Sequence, residues 1–253
     1  MVKKLRGALW VTVALLCAPI ALAQDTVESI EKAVTDAWSR LNSMSATLAA
    51  NAEFKLKPEN PAPMKAMGGG MVNYLKKGET PLYALEGWAG LSEQAKLAQA
   101  RCVHDGQQLH VDTLVFGKVE SETPANAITP GGKALFDFLR ENLNLAAKPA
   151  EKLNDKEAYV IEGALKQPDE KIPMASILIY FDKATGIPLK VASLDKQGMP
   201  SATITVNDIK VNPPLAEDLF KYVPLAPPAP PALPTPPAAP AAAAPAAPAA
   251  PSK

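Results

Sequence analysis

Apolar side chains fall on every second position at Ala46, Leu48, Ala50, Ala52, Phe54 and Leu56, with Thr47, Asn51, Glu53 and Lys55 between them. That period predicts a long strand with one buried face. Just upstream the spacing is different. Val27, Ile30, Val34, Ala37, Trp38 and Leu41 recur three and four residues apart, with Glu28, Glu31, Lys32, Asp36 and Arg40 on the other positions. This predicts an amphipathic helix, and acidic residues early with Arg40 late suit its dipole. Shorter strands follow over 71–77, 81–87, 96–104 and 108–115, punctuated by turns at Lys76-Lys77-Gly78-Glu79 and Asp105-Gly106. Residues 58–70, rich in Pro, Met and Gly, are expected to form a loop before them.

A second helix is expected over 130–145. Thr129 can cap it, Pro130 suits its first position, and Leu135, Phe136, Leu139 and Leu143 form an apolar stripe. Strands resume over 158–165, 175–182, 187–194 and 201–211, with turns at 182–186 and 195–198. Connections this short cannot make parallel crossovers, so the sheet should be an antiparallel meander and the fold α+β. About nine or more strands will twist and curl. Two helices are few for so wide a sheet, which leaves room on its concave face. From the residues alone, an ordinary filled core is the simpler expectation.

The chain ends differ from this middle. Lys3, Lys4 and Arg6 precede an apolar run over 8–16, and Ala21-Leu22-Ala23 offers a peptidase site before Gln24. This reads as a cleaved export signal over 1–23, because a membrane anchor needs about 20 apolar residues. Leu16 before Cys17 argues against a lipidated cysteine. Removing the signal takes three of the 26 Lys+Arg and none of the 26 Asp+Glu, leaving a net charge of −3. No basic patch remains to neutralise phosphates, which argues against nucleic acid. Cys102 is then the single cysteine, so no internal disulfide is possible and the domain over 24–223 must rest on its core. From 224 to 253 Pro and Ala dominate, with twelve of the 26 prolines, and no packed core can form there. That segment is expected to be an extended spacer, a ligand for Pro-binding domains, or a tail without a partner.

Candidate chemistry is sparse. Cys102 and His104 share a strand face, but no oxyanion loop or orienting partner accompanies them. His104, Asp105, His110 and Asp112 flank one hairpin without the spacing of a metal motif. Gly68-Gly69-Gly70 lacks the context of a phosphate loop and is expected to loosen the 58–70 loop. Met64, Met67 and Met71 are flexible apolar groups suited to a lipid entrance. No catalysis and no cofactor are expected.

The segment YFDKATGIPLKVASLDKQGMPSATITVNDIKVNPPLAEDLFKYVP (180–224) resembles the closing part of the periplasmic lipoprotein-carrier, LolA-like family: a Thr-Gly turn between strands, an N-D-I-K-V-N run, and a Leu-Phe segment before a proline. The front half is similar too, in Leu41-Asn-Ser-Met-Ser45, Tyr74-Leu-Lys-Lys-Gly78 and Cys102-Val-His-Asp-Gly106. The carrier proper has an arginine on an early strand that helps hold its helical lid; the first strand here has none. The resemblance implies an incomplete barrel with helices on the concave face of its sheet. It also implies a monomeric periplasmic carrier that holds lipid or lipoprotein acyl chains non-covalently in a hydrophobic cavity. Candidate cavity residues are Trp38, Leu41, Leu48, Phe54, Leu56, Met71, Leu135, Phe136, Leu139 and Leu143. The alternative is an envelope sensor or scaffold on the same fold, binding proteins, envelope membrane proteins among the candidates, through its surface and Pro-rich tail.

Overall fold

The computed structural model describes residues 25–54, 64–78, 80–124, 131–167 and 174–226. The expected export signal, most of the Pro/Ala segment and Leu56 lie outside them. So do Thr129 and Pro130.

Helix α1 (Val27–Ser39) starts at Thr26, whose hydroxyl accepts from the Ser29 amide while Ser29 reaches back to the Thr26 amide. Six strands follow: β1 (Ser43–Phe54), β2 (Met64–Lys77), β3 (Thr80–Gly90), β4 (Lys96–His104), β5 (Leu109–Val115) and β6 (Lys118–Glu122). Helix α2 (Gly132–Asn142) then precedes β7 (Leu143–Leu153), β8 (Lys156–Leu165), β9 (Ser176–Asp182), β10 (Pro188–Leu194) and β11 (Pro200–Val211). All eleven strands form one antiparallel sheet in the order β6-β5-β4-β3-β2-β1-β11-β10-β9-β8-β7. It does not close, because β6 and β7 are left as edges. An open half-barrel with two helices on its inner face is the architecture the sequence resemblance implies.

Three local expectations need correction. The Gly68–Gly70 run lies inside β2, not in a loop. Gly70 is needed where β2 and β3 press together, since a Cβ there would sit 2.2 Å from the Glu86 carbonyl oxygen. The second helix stops at Asn142, and Leu143 already pairs with Leu165 as the first residue of β7. Strands β6 and β7 were also absent from the sequence reading. Both are edge strands, and β7 contains Pro149, where the pairing with β8 is irregular between Lys148 and Glu151, as suits a proline at an edge or bulge.

The core lies between the helices and one half of the concave face. Phe136 stacks on Phe181 with centroids 5.6 Å apart, and Trp38 meets Tyr74 edge-on at 5.2 Å. The Trp38 indole donates to the Gly186 carbonyl at 2.9 Å. Ile30, Val34, Leu139, Ile161, Ile179 and Ile187 fill the space around these rings. Glu31 and Arg140 join α1 to α2.

After β11 the chain crosses the convex face as a strap. Phe220, at the end of a short 3-10 turn (Glu217–Phe220), is buried against Leu82, Ala84 and Val103. Tyr222 stacks on His110 at 4.1 Å. Its hydroxyl and the Leu225 amide donate to the two oxygens of the fully buried Asp112, each at 2.9 Å. Arg101 donates to the Val223 carbonyl at 2.7 Å. His110 and Asp112 of this hairpin therefore clasp the strap.

Candidate binding hollow

Cross-strand register places residues in rows across β1–β5, and the rows on the concave face taper in size. Met44, Tyr74, Tyr83, His104 and Leu109 form the first row. Except for His104, these are part of the main core with the helices. The next row is Ala46, Val72, Leu85, Cys102 and Val111. Then come Leu48, Gly70, Gly87, Ala100 and Thr113, and after them Ala50, Gly68, Ala89, Ala98 and Val115. Large rings thus give way to glycine and alanine as the strands run away from the filled core. Small residues here leave a hollow of about 350 Å³ lined by Leu48, Ala50, Leu85, Ala98, Ala100, Val115 and Ile204, with almost no polar surface. Leu85, Val115 and Ile204 remain open to solvent.

A wider groove of about 560 Å³ lies across β10 and β11, but Lys156, Lys190, Asn207 and Asp208 line it alongside Leu189 and Ile209. Its wall is half polar, so an acyl chain would bury polar groups without partners there. The smaller hollow is apolar almost throughout and imposes no such cost.

The candidates from the sequence are distributed as follows. Leu48 lines the hollow. Trp38, Leu41, Phe136, Leu139 and Leu143 are buried in the filled core beside it, with Leu135 packed at its margin. Met71 pairs with Thr47 and Glu86, so it projects from the convex face, where it borders a surface groove with Trp88 and Leu225. The backbone of Phe54 ends β1, and its side chain and Leu56 lie outside the described residues. Ala98, Ala100, Leu85 and Val115 escape the sequence reading. Each is ordinary within its own strand, and only the register brings them together.

Cys102 and His104 do share the concave face. The His104 ring, however, stacks on Tyr83 at 5.2 Å, and its Nδ1 lies 2.8 Å from the Pro81 carbonyl. Burial pushes the Cys102 thiol above its ordinary value, which works against a thiolate nucleophile. Burial, with a smaller contribution from Cys102, pushes the Tyr83 hydroxyl up to about 12. Among the described residues no group of three or more His, Cys, Asp or Glu gathers as a metal site, and no helix is long and apolar enough to cross a membrane.

In sequence comparisons no family model and no curated protein matches this chain. Three solved structures similar to it illustrate the range. The complex of MucA and MucB from Pseudomonas aeruginosa shares 13% identity over 77% of this chain and 60% of that one, with a TM-score of 0.47. An uncharacterized conserved protein from Thermus thermophilus shares 15% over 78% and 93%, at 0.48. A LolA superfamily protein from Nitrosomonas europaea shares 13% over 78% and 98%, at 0.32. At this distance none of these likenesses bears on what the chain binds.

Proposed function

We propose that this chain is a periplasmic carrier that holds lipid or lipoprotein acyl chains non-covalently in the apolar hollow of its half-barrel. The observation that carries the reading is the taper of the concave rows from Tyr74 and Tyr83 to Gly70, Gly87, Ala98 and Ala100, which ends in an unfilled apolar surface. Each methylene sequestered from water contributes about 0.8 kcal/mol, so a chain lying along several such positions is retained without covalent chemistry. The leader-like residues 1–23 and the family resemblance support the compartment and the ligand class.

Filling the hollow tests this directly. Ala98→Trp places an indole in the open space without touching the core under the helices. The expected result is native mass spectrometry showing lipid retained by the wild type and absent from the variant. A fluorescent acyl probe should bind the variant at least about tenfold more weakly, since an indole displaces several methylenes. A protein that retains no lipid, and binds the probe equally with and without Ala98→Trp, would instead be the envelope scaffold.

A further inference from the structure

Among the described residues, the hairpin turns of the sheet lie on two rims that differ in character. On the rim at the filled end, the described turns are polar: Lys76–Gly78, Asp105–Gln108, Asn154–Asp155 and Asp182–Thr185. On the rim where the hollow ends, they carry large apolar side chains. Leu91 follows β3, Phe116 joins β5 to β6, and Met199 joins β10 to β11. These three are 47%, 79% and 63% exposed. Scattered exposed apolar residues are ordinary, and Val211 and Val223 are examples elsewhere, but sorting those of the described turns onto one rim is not.

Phe116 adds an independent observation. Val115 pairs with Lys118, so Phe116 and Gly117 form a two-residue turn, with φ of 47° and 82°. The β7–β8 turn is built alike, from Asn154 at 46° and Asp155 at 66°. Such turns favour Asn, Asp or Gly because both positions are left-handed. An aromatic side chain is disfavoured there. The ring of Phe116 is also the most exposed large apolar group among the described residues, so packing among those residues does not compensate. Local preference and burial both argue against phenylalanine at this tip.

We infer that this rim is a membrane-contact edge, with Phe116, Leu91 and Met199 entering the interfacial layer of a phospholipid bilayer. The inference rests on the acyl-chain reading above. Val115 lines the hollow and directly precedes Phe116, so a seated rim sets the hollow against the lipid from which a chain is taken or to which it is returned. Lys118 and Lys196 stand beside the Phe116 and Met199 tips and can extend their stems toward headgroups, while Lys96 lies over the Trp88 ring. Glu93 and Asp195 occupy the same turns, so the apolar tips carry the contact and anionic lipid only strengthens it.

Vesicle flotation tests the edge. The protein is mixed with phosphatidylcholine vesicles, with and without phosphatidylglycerol, and compared with Phe116→Asn, which gives the turn a residue it favours. Wild type is expected to float with both vesicle types. The variant should partition roughly tenfold less, as loss of a buried phenyl ring implies. It should melt no lower than wild type and bind the acyl probe equally in solution. Wild type left at the bottom of the gradient overturns the inference, as does a variant that floats equally well. Flotation that requires a membrane protein in the vesicles overturns it in favour of a protein partner. Intact probe binding with lost flotation of the wild type sinks the edge alone, whereas Phe116-dependent flotation without probe binding sinks the carrier reading.

Discussion

Replacing Gly131 with alanine should lower the melting temperature by about 10 °C, corresponding to a loss of about 3–5 kcal/mol. Gly131 precedes α2 with φ at 109°, a region closed to side chains. A Cβ there would also lie 2.3 Å from two ring carbons of Trp38. The indole cannot simply retreat, because it is buried, edge-on to Tyr74, and bonded to the Gly186 carbonyl. Either α2 shifts or that hydrogen bond breaks. Gly78→Ala separates strain from collision: φ there is 61°, but no atom lies within 4 Å of the new Cβ. It should cost only about 1 kcal/mol. Thermal melts that show equal losses for the two variants would refute the collision argument.

Asp112→Ala should release the strap and cost about 3 kcal/mol, because the buried acceptor of both strap bonds is lost and Arg101 loses a neighbouring charge. The measurement is hydrogen exchange at the Leu225 amide, which should lose protection in the variant while the core strands keep theirs. Its pH dependence follows from the balance at the carboxylate. Burial alone pushes Asp112 upward. Hydrogen bonds from Ser121, Leu225 and Tyr222, with the charge of Arg101, outweigh it and hold the group below its ordinary value. A carboxyl depressed in the folded state stabilises fully above its unfolded pKa of about 3.9, and this contribution is lost as pH falls through the lower folded value. The Leu225 amide should therefore stay protected through neutral pH and open only in acid below about pH 4. Opening near pH 6 would contradict the assignment.

The α+β meander is legible in the chain because its two periods are clean: helical spacing from Val27 to Leu41, then alternation from Ala46 to Ala52. The stripe at Leu135, Phe136, Leu139 and Leu143 likewise marks the second helix. Glycines weaken strand signals because they present nothing to alternate, so Gly68–Gly70 reads as a loop although β2 runs through it. Strand β7 is obscured by Pro149 and by alanines that read as helix. The hollow is the least visible feature. An alanine reads the same whether it lies under a neighbour or beside open space, and Ala50, Ala89 and Ala98 become one surface only once register aligns their strands.

Strand β1 sits at the middle of the sheet, flanked by β2 and by β11. Residues some 160 positions apart therefore meet, as where Thr47 faces Asn207. During synthesis, β1 to β6 can zip together from their own hairpins, but the free edge of β1 waits for β11 to be delivered. That wait is entropically slow and leaves a sticky strand uncovered. The half-barrel can be completed only once β11 has been made, so an open, partly zipped form is built into the order of its strands.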